Sequence, residues 1–144
     1  MAGQRSGLRE EAPLSFWAVG VIALLWNGLG TILWGGTSLA PDTFLAGMPA
    51  DHRAYVESLP AWTGLTWGLG VVAGLVGSIL LLLRNRLAIP AFALSLAGAV
   101  INCSSYLVNR PPPGFFNPVL TAFILGFAAF LLWFAHRMKG RGLL

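Results

Sequence analysis

Charge is scarce in this chain, and the scarcity is patterned. Only 10% of its 144 residues are Asp, Glu, Lys or Arg, where a soluble domain carries about 25%. None of these residues occurs within 12–41, 58–83, 87–109 or 111–136. Those stretches therefore offer no carboxylate to a proton relay or an ion-coupled pump. Cysteine is nearly absent. The single one, Cys103, excludes an intrachain disulfide and leaves the redox compartment undefined; it reads as a small packing residue. The two histidines, His52 and His136, are expected on opposite sides of the membrane, so they cannot share a metal, and no Cys or His spacing resembles a zinc site. No serine has a plausible base near it. No catalytic residue, metal or cofactor is assigned, and an enzyme is not expected. Gly68-Leu69-Gly70 lies inside an apolar stretch and does not read as a phosphate loop.

What is present is apolar length. Hydrophobic residues make up 56% of the chain, and each uncharged stretch exceeds the roughly 20 residues that cross a bilayer as a helix. The fold class is therefore all-α: a single integral-membrane domain over 1–144, built as a bundle of four transmembrane helices. Helix 1 is expected over about 14–38, the outer loop over 39–60, helix 2 over 61–83 and helix 3 over 87–108. A Pro-rich outer turn covers 109–117, and helix 4 covers 118–138. The first apolar stretch is far longer than the roughly 7–15 residues of a signal-peptide core, so it reads as a retained helix. Arg84-Asn85-Arg86 is a tight connection that forces helices 2 and 3 into an antiparallel hairpin. Pro90 and Pro118 are tolerated in first turns.

Orientation follows from the basic residues. Arg5 and Arg9 in the polar tail, Arg84 and Arg86 in the hairpin, and Arg137, Lys139 and Arg141 at the far end fall on one side. Arg53 and Arg110 fall on the other. Both termini are expected to face the cytoplasm. The net charge of +4 then serves topology and anionic headgroups, not nucleic acid. In the outer loop, Asp42 and Asp51 are expected to cap two short helical turns. The second turn places Tyr55, Val56 and Leu59 on one face, as a short amphipathic helix at the membrane surface. It reads as a lid over the helix ends, with a substrate gate or a partner-docking element as the alternative. Aromatic residues read as interfacial belts: Trp34, Trp62, Trp67, Tyr106, Phe115 and Phe116 outside, and Phe16, Trp17, Trp133 and Phe134 inside.

The candidate functional residues are uncharged. Gly20, Ala23, Asn27, Thr31 and Trp34 share a face of helix 1, and Ser95, Gly98, Asn102, Ser105 and Tyr106 share one of helix 3. Helix 2 carries Thr63, Trp67, Gly70, Gly74 and Ser78 on one side, with a GxxxG step from Gly70 to Gly74. Gly70, Gly74 and Ser78 are assigned to close helix packing. Asn27, Thr31, Asn102, Ser105 and Tyr106 are the candidate substrate contacts. Two readings stand for the amides: glue between helices, or the wall of a small polar cavity, open to the outside, for a neutral ligand.

Four pieces of sequence resemble a family of small, uncharacterised four-helix bacterial inner-membrane proteins that often carry the label sugar transporter. They are Leu25-Trp26-Asn27-Gly28, the loop end Tyr55-Val56-Glu57-Ser58-Leu59-Pro60-Ala61-Trp62, the hairpin Leu81-Leu82-Leu83-Arg84-Asn85-Arg86 followed by Ala88 and Pro90, and Trp133-Phe134-Ala135-His136-Arg137. The resemblance implies a multi-pass protein of a bacterial inner membrane. Together with the polar faces it gives two expectations. One is a small transport component for a neutral solute, working as a homodimer because four packed helices leave no sizeable pathway. The other is a non-transporting accessory subunit assembled with another membrane protein, its partner meeting the glycine face of helix 2 or the loop helix.

Overall fold

The structure, a computed structural model, describes residues 11–144. Arg5, Arg9 and Glu10 lie outside the described residues. Those that are described form six helices and no strand: α1 Leu14–Leu39, α2 Pro41–Phe44, α3 Ala50–Ser58, α4 Ala61–Leu82, α5 Ala88–Val108 and α6 Pro118–Gly140. α1, α4, α5 and α6 are each long and apolar enough to cross a membrane, which fits a multi-pass integral membrane protein. Their outward faces carry large apolar side chains such as Leu25, Leu65 and Val119, while Asn27, Thr63, Ser78, Ser95 and Ser105 are buried. Lipid has no hydrogen bonds to offer, so polar groups turn inward.

The order of packing is α1 against α4, α4 against α5, and α5 against α6. In lipid there is no hydrophobic drive between helices, so close fit decides which faces meet. α4 supplies that fit through glycine. A Cβ on Gly98 of α5 would lie 2.6 Å from the Gly70 nitrogen and 2.9 Å from the Thr66 oxygen. At that crossing the α4 and α5 backbones are in direct contact. On the α1 side, Gly74 leaves room for the Asn27 carboxamide, and a Cβ there would also lie 2.9 Å from the Ser95 hydroxyl. The Gly70–Gly74 step thus packs within the chain, between α1 and α5. Ser78 is fully buried one turn on, donating to Gly74 O at 2.7 Å and receiving a long 3.5 Å contact from Asn27 Nδ2.

α6 is held differently. Phe123, Phe127 and Phe130 stack along it, at 5.8 Å and 6.2 Å between successive rings. It meets α1 ring to ring: Phe134 on Phe16 at 6.3 Å, and Trp26 edge-on to Phe123 and Phe127 at 5.1 Å and 6.1 Å. Rings span a wider gap than glycines. The buried residues of α6 are Leu131, Phe134, Ala135 and Met138, all in its second half, and those of α1 are Phe16, Gly20 and Ala23 in its first half and Asn27 at its midpoint. Because the two helices are antiparallel, these halves share the end of the bundle that holds the α4–α5 turn. There, Phe16, Leu81, Phe92, Phe134 and Met138 form a closed core. Phe16 and Phe134 are core residues, not members of an interfacial belt, since both rings are buried in that cluster.

The connections are built by local rules. The α4–α5 turn passes through Arg84 at φ 56°, closed by Asn85 N–H to Leu80 O at 2.8 Å. Arg84 Nε donates to Leu143 O at 3.1 Å, tying that turn to the tail. The α5–α6 turn is too rich in proline to be helical, and Gly114 turns it at φ 80°. The Asn117 side chain caps α6 by accepting from Leu120 N at 3.0 Å. Asp42 and Asp51 do not cap α2 and α3. The N-cap positions are Ala40 and Pro49, and both acids sit inside the first turns. Asp42 instead accepts from Arg53 Nη2 at 2.7 Å, which joins α2 to α3.

Candidate functional site

The wide α1–α6 separation leaves a cavity of about 710 Å³ in the loop half of the bundle. Its volume lies within the roughly 300–1,000 Å³ of small-molecule sites. α4 and α5 form a polar back wall with Thr63, Ser95, Asn102 and Ser105, joined by Asn27 of α1. α6 forms an apolar front wall with Leu120, Ile124, Phe127, Ala128 and Leu131. Pro41, Leu45, Met48, Val56, Glu57 and Leu59 of the loop roof it. The cavity ends at the depth of Asn27, Ser95 and Leu131, and the closed core lies beyond. A sizeable space therefore exists inside one chain, contrary to the expectation that four packed helices leave none. The cause is the aromatic stripe on α6, which keeps that helix from seating as tightly as α5 does.

The polar groups are arranged with direction. Asn27 Nδ2 donates to Ala23 O at 2.9 Å and makes the long contact to Ser78; Asn102 Nδ2 donates to Thr63 O at 2.8 Å. The Ser95 hydroxyl donates to Gly70 O at 2.6 Å and that of Thr63 to Pro60 O at 2.7 Å. The two hydroxyls spend their hydrogens on backbone and keep lone pairs, while each carboxamide spends one N–H on backbone and keeps its oxygen. Among the described residues, neither amide oxygen accepts a hydrogen bond, and the hydroxyls of Ser105 and Tyr106 make none. The deep wall is thus uncharged and offers both kinds of partner: the amide oxygens and the Thr63 and Ser95 hydroxyls accept, and the Ser105 and Tyr106 hydroxyls can donate. Among the described residues Glu57 is the only lining residue charged at neutral pH, and it sits in the roof against Arg53 Nε at 2.7 Å. Glu57 first, then Asp42, holds the Arg53 guanidinium above its ordinary pKa. The guanidinium stays charged and serves the loop, not the cavity.

The roof is anchored to the α5–α6 turn. His52 Nε2 lies 3.1 Å from Pro113 O, so this nitrogen carries the proton and donates it. The His52 ring packs edge-on to Phe115 at 5.4 Å, and Tyr55 does so at 4.8 Å. Burial raises the pKa of the Tyr55 hydroxyl.

Asn27, Asn102, Ser105 and Tyr106 are brought together on one cavity, and the two amides do not bond each other. Thr31 is not part of the lining; its hydroxyl donates to Asn27 O at 2.8 Å on its own helix. Gly70 lines the back wall, whereas Gly74 and Ser78 are packed away between helices. The sequence reading missed the apolar wall of α6 altogether. It also read Trp67 and Phe115 only as helix-face and interfacial residues, whereas both line the cavity. Cys103 lines it too and is half-buried. Among the described residues no group of His, Cys, Asp and Glu is placed to hold a metal ion. No protein-family model, curated protein or solved structure matches the chain.

Proposed function

We propose that this membrane protein binds an uncharged solute in the α1–α6 cavity and acts as a small transport component. The observation that carries the reading is that Asn27 and Asn102, on different helices, line one cavity without satisfying each other. A polar group left without a partner in a membrane interior is costly, so an uncharged polar wall is best explained by a ligand that completes it. The packed end of the bundle favours a second reading, an accessory subunit that holds its ligand without passing it on.

One experiment separates the two. The full chain is reconstituted in proteoliposomes, and binding and uptake are measured for a panel of radiolabelled neutral solutes. Solute-dependent flux, falling by an order of magnitude in Asn102→Ala and Asn27→Ala, supports transport. Binding without flux supports the accessory role. Neither binding nor flux for any solute sinks the solute-binding proposal.

The proposed setting is a bacterial inner membrane with the loop end outward. Arg84, Arg86, Arg137, Lys139 and Arg141 cluster at one end of the bundle, and Asp42, Asp51 and Glu57 at the other; the positive end is retained inside. A reporter active only in the cytoplasm, fused after Leu144, is expected to be active. Activity only from a periplasmic reporter at that position reverses the orientation.

A further inference from the structure

The cavity is roofed by the loop and floored by the core, and its walls are unequal. α1–α4 and α4–α5 are sealed by direct helix contact, and α5 packs along α6. Between α1 and α6 the seal is local: Phe16–Phe134 at the core and Trp26 against Phe123 and Phe127 midway. Beyond Trp26, toward the loop, the residues that line the cavity on these two helices are also those that face the outside. Leu29 and Leu33 of α1 are 54% and 45% exposed and Leu120 of α6 is 48% exposed, yet all three line the cavity. The mouth is therefore a slot in the membrane-facing side, edged by leucine.

Resting on the solute-binding reading above, we infer that the ligand is a neutral amphiphile that enters sideways from the bilayer. Its head would be an alcohol or polyol and its tail a single hydrocarbon chain. The head is specified by the back wall. The amide oxygens of Asn27 and Asn102 and the hydroxyls of Thr63 and Ser95 can accept, and the hydroxyls of Ser105 and Tyr106 can donate, so the wall suits a hydroxyl head, which does both. A carboxylate or phosphate head would bring negative charge into the space that Glu57 lines, with no cation among the described lining residues. A quaternary ammonium head has no N–H or O–H to give. The tail is specified by the opposite wall: Ile124, Phe127 and Leu131 offer a dry surface running to the slot. A water-soluble solute would leave that wall uncovered.

The test uses the full chain in phosphatidylcholine nanodiscs with a diazirine analogue of 1-monopalmitoylglycerol, photolysed and mapped by mass spectrometry. Adducts are expected to concentrate on Leu29, Leu33, Leu120 and Ile124. Excess unlabelled monopalmitoylglycerol is expected to remove them by an order of magnitude, and palmitate is not. Leu33→Trp, at an exposed position that the fold tolerates, is expected to narrow the slot and lower labelling to a similar degree. Adducts spread evenly over lipid-facing positions such as Leu25, Leu65 and Leu107, or competition by palmitate as strong as by the monoglyceride, overturns the inference. If those outcomes occur while a water-soluble solute still binds in proteoliposomes, solute binding stands and only the amphiphile is wrong. If no solute binds either, both fall.

Discussion

A single methyl group at position 98 is expected to pull α4 and α5 apart. In Gly98→Ala the new Cβ would lie 2.6 Å from Gly70 N and 2.9 Å from Thr66 O. Both are backbone atoms of a helix, so no side chain can rotate away and the helices must separate. Overpacking of this kind typically costs about 1–3 kcal/mol, and more where the neighbour is rigid. The α4–α5 crossing also forms the polar wall of the cavity, so the damage reaches Ser95 and Asn102. Thermal unfolding in detergent is the measurement, and a drop in Tm of several degrees is expected. Gly126→Ala is the control, because a Cβ on that α6 glycine meets nothing within 4 Å. There the change is expected to be neutral or slightly stabilising, since alanine is the better helix former by about 1 kcal/mol. Equal effects at the two positions would refute the direct α4–α5 contact.

The second large effect concerns the cavity itself. Ala128 lies on its apolar wall, half-buried, on the helix that packs least tightly. Ala128→Trp places an indole in space that is already empty, so the fold is expected to survive with Tm unchanged or raised. The readout is Cys103, the chain's only cysteine, which lines the same space. N-ethylmaleimide, small and uncharged, is expected to label Cys103 in the native protein, and the tryptophan is expected to slow that labelling by an order of magnitude. The same substitution is expected to abolish the solute binding proposed above. Unchanged labelling in a folded Ala128→Trp protein would mean that Cys103 is reached by another route and that the cavity is not one continuous space.

The contrast between these two sites marks how far the sequence could be read. The four spans were legible because lipid imposes a length and forbids charge, and both are written residue by residue. The Gly70–Gly74 step was legible as a close approach, though only the structure shows that the partners are α1 and α5 of the same chain. The cavity was not legible. It depends on the distance between α1 and α6, which is set by whether Trp26 reaches Phe123 and Phe127. No local pattern encodes a ring meeting a ring almost a hundred residues away. Depth along a helix can be counted, whereas rotation about it must be guessed; Phe16 and Phe134 therefore looked like belt residues when they are core. Asp42 failed as a cap for a related reason. A carboxylate beside a proline at a helix start suits a cap, but Arg53, in the next helix, takes it.

The anchoring of α3 has a mechanical consequence. α6 is clamped over its last turns by Phe134, Ala135 and Met138, and no residue of its first half is buried. A rod clamped at one end deflects most at the other, which here is the α5–α6 turn. His52 and Tyr55 fasten the loop helix to Pro113 and Phe115 of that turn. Any swing of α6 that widens the slot must drag α3 with it. The front wall and the roof form one lever, with its fulcrum in the packed core.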